Sequence, residues 1–258
     1  MLRRFKAHTI ALFLGITVLT SCDLLNEILK QVDVPILTKE EIAKGLKEAL
    51  KVGTDTAVTR LSRNNGFYKD KAVQIGLPKE ADLIVKNLSK VPLIGDKLIE
   101  ETKKLINRAA EDAATEAAPI FKNAITTMSI TDAVGILNGN DSAATHYLRE
   151  KTYKQLYNKF KPKIEASLGR KIVDNVSAQS AYKSLIDKYN MAAKIPFSGL
   201  EKVESNSLSE YATHHALGGL FNKVAGEENA IRHDVNARVN DILKKVFDEN
   251  NRNSVIPY

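Results

Sequence analysis

Apolar residues recur at helical spacing along most of this chain. Ile42, Leu46 and Leu50 fall on one side of a helix that begins near Thr38. Glu41 stands three residues after Thr38, which is the spacing of a capping box. No stretch sustains the alternation of apolar and polar residues that a half-buried strand requires. The pattern predicts helices over residues 38–62, 79–90, 95–117, 119–128, 129–137, 142–160, 177–190, 207–224 and 227–248.

Proline and glycine mark where the predicted helices end. The seven prolines fall at helix edges or between helices, and Pro162 is expected to interrupt the helix that begins near residue 142. Gly45 and Gly53 lie inside the first helix, where glycine costs about 1 kcal/mol relative to alanine. We expect a neighbouring helix to approach closely there. The predicted fold class is all-α, a compact multi-helix bundle that forms one domain.

The first 21 residues follow another pattern. A basic start precedes an apolar run of about eleven residues, which suits a signal peptide and is shorter than the roughly 20 residues that span a bilayer. Leu19, Thr20 and Ser21 then precede Cys22, the only cysteine of the chain. This order resembles the lipobox of bacterial lipoproteins, in which the peptide is cut before the cysteine and the thiol carries lipid. The alternative is an ordinary secretory signal with a chance cysteine.

The lipobox defines the expected organisation of the chain. A lipoprotein signal peptide is predicted at 1–21, the lipidated Cys22 and a tether at 22–37, the helical domain at 38–248, and a flexible tail at 249–258. The protein is then expected to face the periplasm of a bacterial cell envelope, attached to the membrane through lipid on Cys22. Asp23 resembles a signal for retention at the inner membrane, but other bacteria sort by other rules. The choice between inner and outer membrane stays open.

Charge changes this picture little. Removing residues 1–21 takes away three of the 38 basic residues and none of the 31 acidic ones, so the formal net charge falls from +7 to +4. The remaining excess is spread along the chain, which does not indicate a nucleic-acid partner. Motifs for metal, nucleotide or nucleophilic catalysis are absent from the sequence, and no cofactor is predicted. The scattered histidines leave a zinc site without support.

The densest group of polar residues lies between positions 107 and 150. One interpretation is that two helices bring an arginine–carboxylate cluster around a small anionic or polar ligand. The other is structural: Arg108 bridges Glu111, Asp132 and Asp141 cap helices, and Arg149 pairs with a carboxylate. The candidate ligand-binding residues are Asn107, Arg108, Glu111, Asp132, Asn138, Asp141, Thr145 and Arg149.

An aromatic stripe runs along the helix predicted over residues 142–160. Tyr153, Leu156, Tyr157 and Phe160 share one side of that helix. Such a stripe is typical of a core position with the tyrosine hydroxyls at the rim. The alternative is a surface that binds a hydrophobic partner or an acyl chain. Further along, the pair at 218–219 in "ALGGLF" indicates close helix packing.

Several stretches together resemble one bacterial family. They are "EIAKGLKEALKVGTDTAV", "GFYKDKAVQIGLP", "NRAAEDAA", "FKNAITTMSITDAVGILNGNDSAATHYLREKT", "YATHHALGGLF" and "VNARVNDILKKVF". The chain is similar over about 38–248 to the domain-of-unknown-function family numbered four-one-nine-seven. The resemblance implies an all-helical envelope protein, often made as a lipoprotein. It implies no activity and transfers no catalytic residue.

These observations favour a non-enzymatic, lipid-anchored helical domain that binds an envelope protein or a small ligand in the periplasm. One alternative is a hydrolase-type enzyme in which Glu111 or Asp132 acts as base while Arg108 or Arg149 holds an anion. It requires these side chains to converge in a water-accessible pocket with a carboxylate of raised pKa. Another alternative is an acyl-chain or lipid carrier, which requires a dry cavity among the helices.

Overall fold

In the computed structural model, the backbone is mostly helical over the described residues, which are 37–81, 96–173, 176–204 and 207–248. The predicted signal peptide, Cys22, nearly all of the tether, the tail and most of the helix predicted at 79–90 lie outside them. The elements in chain order are α1 (Lys39–Ser62), α2 (Asp96–Ala114), α3 (Ala117–Thr126), α4 (Ile130–Leu137), α5 (Ala143–Gly169), β1 (Lys171–Val173), β2 (Val176–Ser177), α6 (Ala178–Ala193), α7 (Leu208–His233), a 3₁₀ turn (Val235–Ala237) and α8 (Asp241–Phe247).

Helix α1 begins at the predicted capping box. The Thr38 hydroxyl accepts a hydrogen bond from the Glu41 N–H at 3.1 Å, and the Glu41 carboxylate accepts one from the Thr38 N–H at 3.0 Å. The predicted stripe is buried against α3, α4, α7 and α8. A Cβ on Gly45 would meet Val246 Cγ2 of α8 at 2.3 Å, so the expected close approach is confirmed there. Burial on several sides explains how this helix accepts two glycines.

Helix α5 runs through Pro162, so the predicted interruption was wrong. Proline inside a helix removes one backbone hydrogen bond and costs about 3 kcal/mol. Phe160 lies before it and Ile164 after it, and both are completely buried among α2 and α7. Pro162 and Asn158, whose carbonyl loses its partner, are exposed, so water can donate to that carbonyl. Packing on the buried side therefore keeps the helix continuous.

Helix α7 is one helix of 26 residues where the sequence predicts two. A break was expected near Gly226, but the buried face continues past it through Val224, Glu228 and Ile231. The chain then turns at the 3₁₀ segment into the short α8, whose Leu243 and Phe247 are buried against the core. Long-range packing again outweighs a local helix breaker.

The strands form one small hairpin and leave the fold class unchanged. Lys171–Val173 pairs antiparallel with Val176–Ser177, directly before α6. The rest of the regular structure is helical, so the predicted compact all-α fold is confirmed. Among the described helices, none combines the length and the apolar character that a bilayer span demands.

Candidate functional site

Two residues of the predicted polar cluster, Asn107 and Glu111, form hydrogen bonds to the backbone of the loop that follows α1. Asn107 is completely buried on α2; its side-chain oxygen accepts from the Ile75 N–H at 2.8 Å, and its amide donates to the Ile75 carbonyl at 2.8 Å. Glu111 accepts from the backbone N–H groups of Phe67 and Tyr68, each at 3.1 Å. We call residues 63–77 the pinned loop. A buried carboxylate with this many donors is a structural anchor.

Arg108 completes the anchor at the surface side. Its guanidinium donates to Glu111 at 2.5 Å and to the Asn65 side chain at 2.8 Å. The Arg108 side chain is 29% exposed and that of Glu111 is 5% exposed. The predicted Arg108–Glu111 bridge is therefore present, and it neutralises a carboxylate that would otherwise be buried unpaired.

Asp132 and Asn138 lie at the two ends of α4. Asp132 forms a capping box with Ser129, whose hydroxyl donates to the Asp132 carboxylate at 2.7 Å. This bond, with the Ser129 backbone N–H, lowers the pKa of Asp132 below its ordinary value. Asn138 is the exposed C-cap residue, and its backbone N–H donates to Val134. The predicted capping role of Asp132 is present.

Thr145 belongs to a buried arrangement that the sequence analysis did not predict. Glu228 of α7 accepts from the Thr145 hydroxyl and N–H, both at 2.8 Å, and from the Ala144 N–H at 3.0 Å. Arg232 pairs with Glu228 at 3.0 Å and donates to the carbonyl of Ile136 at 2.9 Å. The anion thus satisfies the N-terminus of α5 and the cation the C-terminus of α4, as the helix dipoles favour.

A signal for this buried pair is present in the sequence. Glu228 and Arg232 are four residues apart and fall on the apolar face of α7, with Val224 and Ile231. Charged residues on an apolar face require partners, since an unpaired buried charge is costly. The sequence does not show which helix ends supply those partners.

The remaining candidates have contacts other than those expected. Asp141 does not cap α5: Ser142 occupies the N-cap position without a side-chain capping bond, and Asp141 pairs with His233 at 2.9 Å. Arg149 lies over the Phe221 ring at 4.8 Å, and no carboxylate of the described residues forms an ion pair with it. In the described part of the chain, no hydrogen bond or ion pair links the α2 group with these residues. A ligand shared by all eight candidates stays a prediction.

The aromatic stripe is divided between core and rim. Leu156 and Phe160 are completely buried, which confirms the core interpretation for them. Tyr153 bonds His214 Nδ1 at 2.7 Å, and Tyr157 donates to Glu210.

Lys161 also pairs with Glu210, at 2.9 Å. The hydrogen bond from Tyr157 and the one from Lys161 lower the pKa of Glu210 to about 2. These half-buried groups link α5 to α7, and each already has a partner.

A groove between α1 and α3 has a volume of about 890 Å³. We call it the lysine groove. Its apolar lining includes Ala43 of α1 and Ala118 and Ile125 of α3. Its charged lining consists of four lysines, Lys44, Lys47, Lys51 and Lys122, and three acidic residues, Glu40, Glu48 and Asp55. The sequence pattern does not reveal this surface, because the helices that form it are neighbours only in the folded chain.

Two apolar-lined spaces between helices are far smaller than the groove. One lies among α1, α7 and α8 beside Phe247, and the other lies beside Tyr182 of α6; each has a volume of about 20 Å³. That is room for about one water molecule. In the region that the structure covers, no group of three or more His, Cys, Asp or Glu residues is placed to hold a metal ion.

The family comparison agrees with the sequence resemblance. A family model described as "Protein of unknown function (DUF4197)" matches residues 36–248. The match spans the described helical domain from α1 to α8. No curated protein and no solved structure matches the chain.

Proposed function

Because this chain belongs to the DUF4197 family, whose description names no activity, we propose its function from its surfaces: it is a binding domain. We propose that lipid on Cys22 holds it at the bacterial envelope, facing the periplasm. Its ligand carries an apolar part and an anionic group, and it occupies the lysine groove. The observation that supports this proposal is the groove itself, which combines an apolar floor with four lysines and three carboxylates, an excess of one positive charge.

The size and lining of the groove suit a ligand. A volume of about 890 Å³ lies within the range of small-molecule sites, which is roughly 300–1,000 Å³. Ala43 and Ile125 are buried side chains of its floor, one from each helix. Ile130 at the end of the groove is 43% exposed, so apolar surface continues toward solvent. An apolar ligand group would cover this surface and gain about 25 cal/mol per Å² removed from water.

The charges of the groove favour an anion. Lys44 and Lys51 are seven residues apart, so their Cα atoms lie about 10 Å apart along α1. Two of the four lysines are already engaged: Lys47 donates to the Thr126 carbonyl at 3.1 Å, and Lys51 lies 4.0 Å from the Glu48 carboxylate. Neither Lys44 nor Lys122 has an ion-pair partner among the described residues. The two ammonium groups are thus available to a carboxylate, sulfate or phosphate group.

The geometry gives less support to the hydrolase alternative. Glu111 is saturated by backbone donors and Arg108, and its side chain is almost fully buried. The pKa of Asp132 is lowered, whereas a general base at neutral pH requires a raised one. Binding without chemistry needs neither condition.

The lipid-carrier alternative is also less supported. Apolar spaces of about 20 Å³ are too small for an acyl chain. Of these three spaces, the open lysine groove is the one with room for an acyl chain. The proposed ligand can therefore include an amphiphile, but it is held at the surface.

The test uses anilinonaphthalene sulfonate, a dye with an apolar ring system and one anionic group. We expect it to bind the chain and to bind the Lys44→Glu/Lys122→Glu variant about tenfold more weakly, because two attractive charges become repulsive. The control is Lys154→Glu/Lys159→Glu. It replaces two exposed lysines of α5 and changes the net charge by the same amount. Equal weakening in both variants, or no dye binding at all, would refute the groove.

The lipid attachment has its own test. Cells fed labelled palmitate should label the wild-type chain and leave Cys22→Ser unlabelled, because that thiol is the proposed acceptor. The variant should leave the membrane fraction after a high-salt wash. Label on the Cys22→Ser chain would contradict the attachment and would leave the groove proposal standing.

A further inference from the structure

A tight turn between α6 and α7 has unusual chemistry. The Ser198 N–H donates to the Ile195 carbonyl at 3.1 Å, which closes a four-residue turn. Pro196 occupies its second position, and Phe197 occupies its third with φ of 64°. These are the features of a type II turn, in which the third position prefers glycine because φ is positive. We call residues 195–198 the apolar turn.

Phenylalanine in this place carries two costs. A bulky residue at positive φ is strained, since its Cβ crowds the following carbonyl. Phe197 is also 105% exposed, as much as in an extended peptide, and Met191 and Ile195 beside it are each 61% exposed. No contact within the described domain offsets either cost. A strained, solvent-exposed aromatic residue therefore points to a contact outside the chain.

The turn is held firmly at its base. The Asn190 amide donates to the Val203 carbonyl at 2.9 Å, and its oxygen accepts from the Val203 N–H at 3.0 Å. Val203 and Leu200 are partly buried and pack against the core. The base of the loop is thus fixed to α6, and the apolar turn projects from it.

Basic residues surround the apolar turn. Lys188, Met191 and Lys194 are spaced by three residues, so they share one side of the end of α6. Lys194 and Lys202 are exposed. None of Lys188, Lys194 and Lys202 has an ion-pair partner within the described ranges. Two exposed acidic residues, Glu201 and Glu204, follow the turn, while Asp187 is paired with Lys183, so the three lysines leave a local excess of one positive charge.

We propose that the apolar turn inserts into the interfacial region of an anionic lipid bilayer. A protruding aromatic and aliphatic tip fits a soft surface that closes around it, and flanking lysines attract anionic headgroups while their stems stay near apolar material. The turn is a different surface from the lysine groove. The inference does not rest on the proposed ligand or on lipid at Cys22.

The chain contains no tryptophan, so one introduced tryptophan reports on its own position. The experiment uses Phe197→Trp in the whole chain, bound to vesicles that mix phosphatidylglycerol with phosphatidylcholine. Brominated acyl chains quench tryptophan only when it lies within the bilayer. The matched control is Val239→Trp, because Val239 is 67% exposed and follows the opposite end of α7.

We expect brominated lipid to quench Trp at 197 strongly and Trp at 239 little, in the same bound chain. The variant Lys194→Glu/Lys202→Glu should need about tenfold more lipid for half-maximal quenching. The variant Lys154→Glu/Lys159→Glu should need no more lipid than the unmodified chain. If Trp at 197 is not quenched in vesicle-bound protein, the proposal is wrong. A shift of its emission on addition of envelope protein would then indicate a protein partner instead of the bilayer. Equal quenching on neutral vesicles would overturn the role of the lysines.

Discussion

Two irregular segments of this domain, the pinned loop and the apolar turn, are held in opposite ways. Backbone N–H groups of the pinned loop donate hydrogen bonds to the buried Glu111 carboxylate, and Phe67 of this loop lies fully inside the core. The apolar turn is fixed only at its base, by Asn190, and places Phe197 fully in solvent. Both contain a phenylalanine and a non-glycine residue at positive φ, Asn65 in one and Phe197 in the other.

The difference teaches where function is to be sought in this fold. The polar residues that drew attention in the sequence are largely occupied in holding helices and the pinned loop. Two surfaces keep apolar residues open to solvent: the lysine groove and the apolar turn. The polar clusters therefore stabilise the fold. We propose that the two apolar surfaces, which also carry lysines, contact a ligand and a membrane.

The largest expected effect is on the pinned loop. Glu111→Ala should lower the free energy of unfolding by about 3–5 kcal/mol, because it leaves Arg108 and several buried N–H groups without their acceptor. Urea unfolding followed by circular dichroism measures it. Asp112→Ala, at the exposed neighbouring position, should change it by no more than about 0.5 kcal/mol. Similar losses in both would mean that the pinned loop is not anchored as described.

The next effect separates two adjacent glycines of α7. A Cβ on Gly219 would meet Phe67 of the pinned loop at 2.7 Å, whereas nothing lies within 4 Å of one on Gly218. Gly219→Ala should therefore lose about 1–3 kcal/mol by overpacking, and Gly218→Ala should gain about 1 kcal/mol of helix propensity. Thermal unfolding of the two variants checks the opposite signs. Equal shifts would show that α7 does not press on the pinned loop.

A smaller effect of opposite sign is expected at the apolar turn. Phe197→Gly should raise the free energy of unfolding by roughly 0.5–1 kcal/mol, because glycine adopts positive φ without strain. Lys194→Gly, at a residue with ordinary helical φ, should lower it by a similar amount. Urea midpoints measure both changes. A loss of stability in Phe197→Gly would mean that its side chain packs within the domain.

The smallest effect tests a polar network that holds no loop. Glu210 has a pKa of about 2 in the folded chain, below its ordinary value of 4.5. Its stabilisation is thus complete above about pH 4.5 and is lost as the pH falls toward 2, since the unfolded chain takes up the proton first. Wild type and Glu210→Gln should therefore converge in stability over that range. Glu165→Gln, exposed on α5, should show no such convergence.

Much of the fold could be predicted from local pattern. The α1 capping box, its buried stripe, the cap of α4 and the all-α class depend on residues within a few positions of one another. The continuous passage of α5 through Pro162 and of α7 past Gly226 could not be predicted in this way. A local breaker has a fixed cost, and only the amount buried on the opposite face decides whether the helix continues.

The candidate residues divide along the same line. Sequence alone determined that Arg108 bridges Glu111 and that Asp132 caps a helix, because both bonds join residues three positions apart. Only the tertiary structure decided that Glu111 accepts from Phe67, 44 residues away, and that Glu228 accepts from Ala144, 84 residues away. The lysine groove likewise exists only where α1 meets α3. Local bonds follow from helix geometry, whereas distant partners are chosen by which faces the whole core buries together.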